Sequence, residues 1–434
     1  MNRHFFRAEF VASVLLASTA SVAPAATPLW TDAGVDLWGD ATNWDTMTVP
    51  VDGDTARISN GGTAVIDDSQ NIHVDFLEVA HASASTGTVR MTGGNLRTDF
   101  DVPIGGNSLT VAGGTGRLEQ SGGAIFMNGG NVNVGIGPSA NGTYLMSGGS
   151  LLVNSGTVFA VGNRAVGAVT QSGGSIYVRG GSNLNAAVAQ LGRNTTAIGG
   201  SGSYTLSGGT LTSALLQFGN AIQTSGTPST NTFTLQGSGN LQTGTISVVN
   251  SGALATNTFN FIGGSLSANT VSIPLTNNGG TLRPYFGNFA AGGATELVSN
   301  PIGSMTFTGT NGYTQNSTGR LQIEIGEASN DFISIGAGVD VGSAILNGTI
   351  EVSLFGGFEP ALGATFDILA ADVITNSATV IGSTASGRFF EPTIYTSAVD
   401  QRQVLRLVVV PEPSSAAFLA SAGLLLAARR RRQS

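Results

Sequence analysis

The side chains able to do chemistry are few and unevenly placed. The 434-residue chain carries 26 carboxylates and 3 histidines, has no cysteine, and all 18 of its basic residues are arginines. From Gln120 to Thr295 there is no Asp, Glu, His, Lys or Cys. General acid–base catalysis, metal ligation and most nucleophile activation require one of those groups. The middle of the chain is therefore expected to be inert. An enzyme acting on polysaccharide would need convergent carboxylates, which only Asp32 to Glu119 or Glu296 to Asp400 can supply. The acids to watch are Asp67, Asp99, Asp101 and Glu119 on one side, and Glu324, Glu327 and Asp331 on the other. The last three are expected on an outer face or turn. No catalytic residue, cofactor or metal site is assigned, and no enzyme activity is expected.

Other side chains invite weaker readings. Asp32, Asp36, Asp40, Asp45, Asp52, Asp54, Asp67 and Asp68 are dense enough to suggest calcium, which takes several oxygen ligands. Their spacing matches neither an EF-hand nor the nonapeptide repeats of calcium-loaded β-rolls, so solvated turn residues are expected. Trp30, Trp38 and Trp44 are all the tryptophans of the chain and either pack as a cap or offer a sugar-stacking platform. Arg164, Arg179 and Arg193 read as surface charges or as a sparse row for an anionic glycan; Tyr144, Tyr177 and Tyr204 read as stacked aromatics within the repeats, with a ligand platform as the alternative. Residues Ala26 to Val410 hold 24 acids against 12 arginines, which argues against a nucleic-acid partner.

The elements that must position these groups are repeats. GTVRMTGGNLRT from Gly87, GRLEQSGGAIFM from Gly116, GTYLMSGGSLLV from Gly142, GAVTQSGGSIYV from Gly167 and GSYTLSGGTLTS from Gly202 are copies of one pattern. NTFTLQGSGNLQT from Asn231 and NTFNFIGGSLSA from Asn257 continue it, at spacings of 25 to 35 residues. Each copy alternates in character with period two and is broken at a glycine pair, as expected of two strands around a corner. A third apolar segment closes most copies, as in VNVGIG from Val132 and VFAVGN from Val158. Three short strands per repeat describe one turn of an all-β parallel β-solenoid, in which Leu145, Val169, Leu206 and Leu235 are expected to share one core. Parallel crossovers favour a right-handed winding. Regular Thr-x-Thr rows on one face would suggest ice binding, but TVRMT, TYLMS, AVTQS and YTLSG vary too much between copies.

Both ends read as addresses. Arg3 and Arg7, an apolar run from Phe10 to Ala20, and Ala23-Pro24-Ala25 describe a secretory signal peptide over residues 1–25, cut after Ala25. Residues 26–86 are expected to form the Trp-rich cap and first coils, 87–280 the repeats, and 281–410 strand-rich wider coils or a small sandwich. At 411–434, Pro411, Glu412 and Pro413 precede an apolar stretch, Ala416 to Ala428, and then Arg429, Arg430, Arg431 and Arg432. A short membrane helix is expected there, with the arginines on the cytoplasmic side.

This tail resembles the PEP-CTERM sorting signal, also catalogued as an ice-binding protein C-terminal domain, in carrying the Pro-Glu-Pro triplet, a glycine-containing apolar helix and an arginine block in that order. The resemblance implies export in a Gram-negative bacterium, transient membrane anchoring, and recognition at Pro411 to Pro413 by an exosortase-type membrane protease. Release to the cell surface or an exopolysaccharide matrix would follow. The body resembles the passenger repeats of autotransporter-like proteins, and Leu321 to Leu369 is similar to a C-terminal block common in them, with Asp331, Leu346-Asn347-Gly348-Thr349, Gly357-Phe358, Pro360 and Gly363 in order. The function expected is that of a non-catalytic surface or matrix scaffold. A glycan- or ice-binding solenoid and a polysaccharide-active β-helix enzyme are the alternatives.

Overall fold

The structure, a computed structural model, describes residues 25–154, 158–179, 187–193, 199–249, 252–284, 302–336 and 341–412. Ala23, Pro413, the expected tail helix and Arg429 to Arg432 lie outside the described residues, as does nearly all of the expected signal peptide.

Short strands with alternating buried and outward side chains stack in parallel into a β-solenoid of about 11 turns, with almost no helix. Register is set by the repeats. Thr86–Met91, Thr115–Gln120 and Asn141–Met146 pair residue for residue, so that Gly87, Gly116, Gly142, Gly167 and Gly202 form one column. After the corner, Leu96, Ile125, Leu151, Ile176, Leu211, Leu241 and Leu266 form a second column. A third runs through Val102, Val132, Phe159, Ala189, Leu216, Ile246, Val271 and Phe307. The second and third columns are buried, and no single turn could bury its apolar row without its neighbours.

The glycine pairs make the corner. The second glycine of a pair sits at positive φ, +67° at Gly123 and +76° at Gly149. A Cβ on Gly149 would lie 2.5 Å from the Gly123 carbonyl oxygen one turn below, so the corner excludes side chains by conformation and by contact. Gly142 is constrained by approach alone: a Cβ there would meet the Gly135 amide and the Ile104 carbonyl.

One core assignment is displaced by a residue. Tyr144 and Met146 point inward and are buried, while Leu145 between them faces outward. The true columns are Val89, Leu118, Tyr144, Val169, Tyr204 and Phe233, and beside it Met91, Gln120, Met146, Gln171, Leu206 and Leu235. Period-two alternation leaves both frames open until the corner fixes which parity is inside.

The parallel pairing runs on beyond Gly280, with Leu282, Leu321 and Ile350 in register. It ends where Gln403–Val410 pairs antiparallel with both Thr365–Ala371 and Phe389–Thr396. At the other end Trp30 and Trp38 each meet Trp44 edge to face, with ring centroids 5.2 and 4.9 Å apart. The Trp44 indole N–H donates to the Trp38 carbonyl at 2.9 Å.

Candidate functional site

The acids singled out from sequence do not converge in one groove; each has its own partners. Asp67 accepts from the Ser69 amide and hydroxyl in a turn. Asp101 accepts from the Asn131 backbone and side chain. Glu119 is held by Arg90 at 2.6 Å and Arg117 at 2.5 Å. Burial opposes ionisation of Glu119, but the two guanidinium hydrogen bonds outweigh it and hold the carboxyl below its usual range. Asp99 alone stands in a mixed cluster, described below.

The N-terminal aspartates show the same economy. Seven of the eight accept backbone amides: Asp32 from Gly34, Asp36 from Leu37, Asp40 from Thr42, Asp45 from Leu29, Asp54 from Ala26 and Val51, Asp67 from Ser69 and Asp68 from Gly94. They tie turns instead of converging on an ion. The three indoles are at most 2% exposed, so none presents a face for a sugar.

Asp331 corrects an expectation. It lies in a turn, as expected, but not on an outer face: it closes the loop of residues 326–331 and is 2% exposed. Its two oxygens accept from the Gly303 amide at 2.7 Å and the Glu324 amide at 2.8 Å. These bonds fasten the tight turn between Arg320–Ile325 and Phe332–Ile335, where Gly326 N–H donates to Ser329 O. Burial pushes the Asp331 carboxyl up to about 7 against those two bonds. Glu324 is half-buried and Glu327 exposed, so the three acids stand in three different settings.

Tyr144 and Tyr204 are buried as expected, and each donates to a buried glutamine one turn below: to Gln120 and Gln171, both at 2.5 Å. The Gln171 amide then donates to the Gly174 and Thr210 carbonyls at the corner, at 3.2 and 3.1 Å. Burial drives both phenols far above their ordinary range, so they remain donors. Tyr177 instead lies on the outside, with the Arg179 guanidinium 5.9 Å from its ring centre. Arg179 follows a strand of the second column, whereas Arg164 and Arg193 sit together after the third, Arg164 N–H donating to the Arg193 carbonyl at 2.9 Å. The three arginines do not form one row.

Two arrangements were not read from the sequence. The first joins Asp52, His73 and Asp99. His73 Nε2 lies 3.0 Å from Asp99 Oδ2 and 3.3 Å from Asp52 Oδ1, and one ligand atom of each residue falls within 4.8 Å of the others. The Asn128 amide donates to Asp99 Oδ1 at 2.6 Å and, with His73, holds that carboxyl below its usual range. The pairing of Asn71–Val74 with Asn95–Thr98 puts His73 beside Arg97, two residues before Asp99. Recognising those segments as one strand in successive turns would have found the contact.

The second is an outward hydroxyl face. Ser201, Ser203 and Thr205, then Thr230, Thr232 and Thr234, then Thr256, Thr258 and Asn260 are aligned on three successive turns. All nine are exposed or half-buried. Their rows repeat at about 4.8 Å across turns and about 6.6 Å along the strand.

No protein-family model matches the chain, and no curated protein matches it. Among the described residues no helix is long and apolar enough to cross a membrane.

Proposed function

We propose that this chain is an exported, non-catalytic scaffold of the cell surface or extracellular matrix, wound right-handed with three strands to a turn and closed at its start by the tryptophan cluster. The observation that carries this reading is the disposition of reactive groups. The shaft from Gln120 to Thr295 has no acid, histidine, lysine or cysteine, and the acids of the suspected groove, Asp67, Asp99, Asp101 and Glu119, each answer to a different amide, imidazole or guanidinium. Sorting is assigned to the PEP-CTERM-like tail, an exosortase-type protease is its partner, and exopolysaccharide is the matrix it enters. Pro411 and Glu412 are exposed directly after the last strand, a position open to a protease. Replacing Pro411, Glu412 and Pro413 by alanine should trap the protein in the membrane fraction of its own cells. Release into the medium at the normal level would refute the sorting assignment.

A second reading is favoured by the hydroxyl face: a binder of neutral glycan or of ice. Its nine side chains are uncharged and in register, which suits hydroxylated ligands and not anionic ones. Triple replacement Thr205→Lys, Thr232→Lys and Thr258→Lys should abolish retention on the cell's own exopolysaccharide. If the parent chain is not retained at low salt, the glycan form of this reading fails.

A further inference from the structure

We propose that Asp52, His73 and Asp99 bind a divalent transition-metal ion, zinc being the ion that fits, which ties together turns near the N-terminal end of the solenoid. The proposal is independent of the scaffold reading.

The argument begins with an excess of acceptors. His73 Nε2 carries at most one proton, yet it faces carboxylate oxygens from two aspartates at 3.0 and 3.3 Å. One N–H cannot point well at both. A cation between the three atoms satisfies all of them at once, with the imidazole nitrogen as a neutral ligand.

The distances suit a small ion. With zinc bonds of about 2.0 Å to nitrogen and oxygen, the edge of a tetrahedral site is about 3.3 Å. Both histidine-to-carboxylate separations are near that length, and the third, between the aspartates, is within 4.8 Å. Asp52 is 66% exposed on its loop and has room to close the remaining gap.

The supporting contacts divide the Asp99 carboxylate. Oδ1 takes the Asn128 amide at 2.6 Å and lies 3.6 Å from Arg97 Nε, whereas Oδ2 faces His73. One oxygen is thus oriented from behind and the other presented forward, which is how outer contacts fix a metal-bound carboxylate. An imidazole among the ligands selects zinc, copper or nickel over calcium, which takes six to eight oxygens. Three protein ligands leave the fourth position to water.

The ligands come from separate passes of the chain. Asp52 precedes Thr55–Ile58, His73 lies in Asn71–Val74, and Asp99 follows Asn95–Thr98 in the next turn. A bound ion therefore adds a cross-link between segments that already meet through the shared core and the Phe76–Phe100 ring stack, and it stabilises the fold by mass action.

The test is calorimetric titration of the full chain, produced without a polyhistidine tag, with zinc chloride and separately with calcium chloride near neutral pH, together with thermal unfolding. Zinc should bind with one equivalent and raise the unfolding midpoint by several degrees, and calcium should do neither at the same concentration. His73→Ala should lose the zinc-dependent shift, and Asp52→Asn, a change on an exposed loop that spares the fold, should weaken zinc at least tenfold. Absence of zinc binding to the parent chain overturns the proposal. So does zinc affinity unchanged by Asp52→Asn together with a midpoint shift that survives in His73→Ala.

Discussion

At the scale of single residues, the buried polar groups carry the sharpest consequences. Asp331 is held protonated to about pH 7, whereas in an unfolded chain it would ionise near its ordinary 3.8. Folding therefore takes up a proton between those values, so the stability Asp331 contributes is greatest below about pH 4 and falls as pH rises to about 7. Thermal unfolding of the parent and of Asp331→Asn should show their difference shifting against the parent between about pH 4 and about pH 7. A pH-independent difference would refute the assignment, because all other titrating groups are common to both chains. The tyrosine–glutamine pairs act differently. Tyr204→Phe leaves Gln171 Oε1 buried without its donor and should cost about 1–3 kcal/mol. Adding Gln171→Leu should restore part of that loss unless the corner carbonyls of Gly174 and Thr210 depend on the amide.

At the scale of the element, the corner is the unit. Gly149 combines a φ of +76° with a carbonyl 2.5 Å from any added Cβ. Gly149→Ala should therefore cost more than the roughly 1–2 kcal/mol of the left-handed backbone conformation alone. The exposed neighbour Ser147, changed to alanine, should stay within about 0.5 kcal/mol. Denaturant unfolding of the two variants separates corner geometry from a general sensitivity of the segment. Where the corner turns, it also chooses which side chains face out, and so it assembles the hydroxyl rows of Ser203, Thr232 and Thr258.

At the scale of the whole molecule, each turn contacts only its neighbours, and stability spreads along the stack as a chain of interfaces. Leu211 lies mid-stack between Ile176 and Leu241 and is fully buried. Leu211→Ala should cost about 2–5 kcal/mol from lost burial and the cavity left behind. Hydrogen exchange should quicken most in Ser175–Val178 and Asn240–Thr243, while the strands around Leu96 and Ile350 keep their protection. Uniform loss along the rod would mean that it unfolds as one block and not as coupled turns.

The repeat, the parallel solenoid and the glycine corners were readable from the chain because each rests on local demands: period-two alternation, a recurring length, and a backbone conformation that glycine alone adopts cheaply. Inward parity was not, and Leu145 shows why: a strand alternates equally well in either frame, and only its setting between two corners selects one. The burial of Asp331 and the meeting of Asp52, His73 and Asp99 were likewise decided in three dimensions. Residues about one turn apart in sequence become neighbours only when successive turns stack in register, and no local pattern records how many residues each turn spends on its loops.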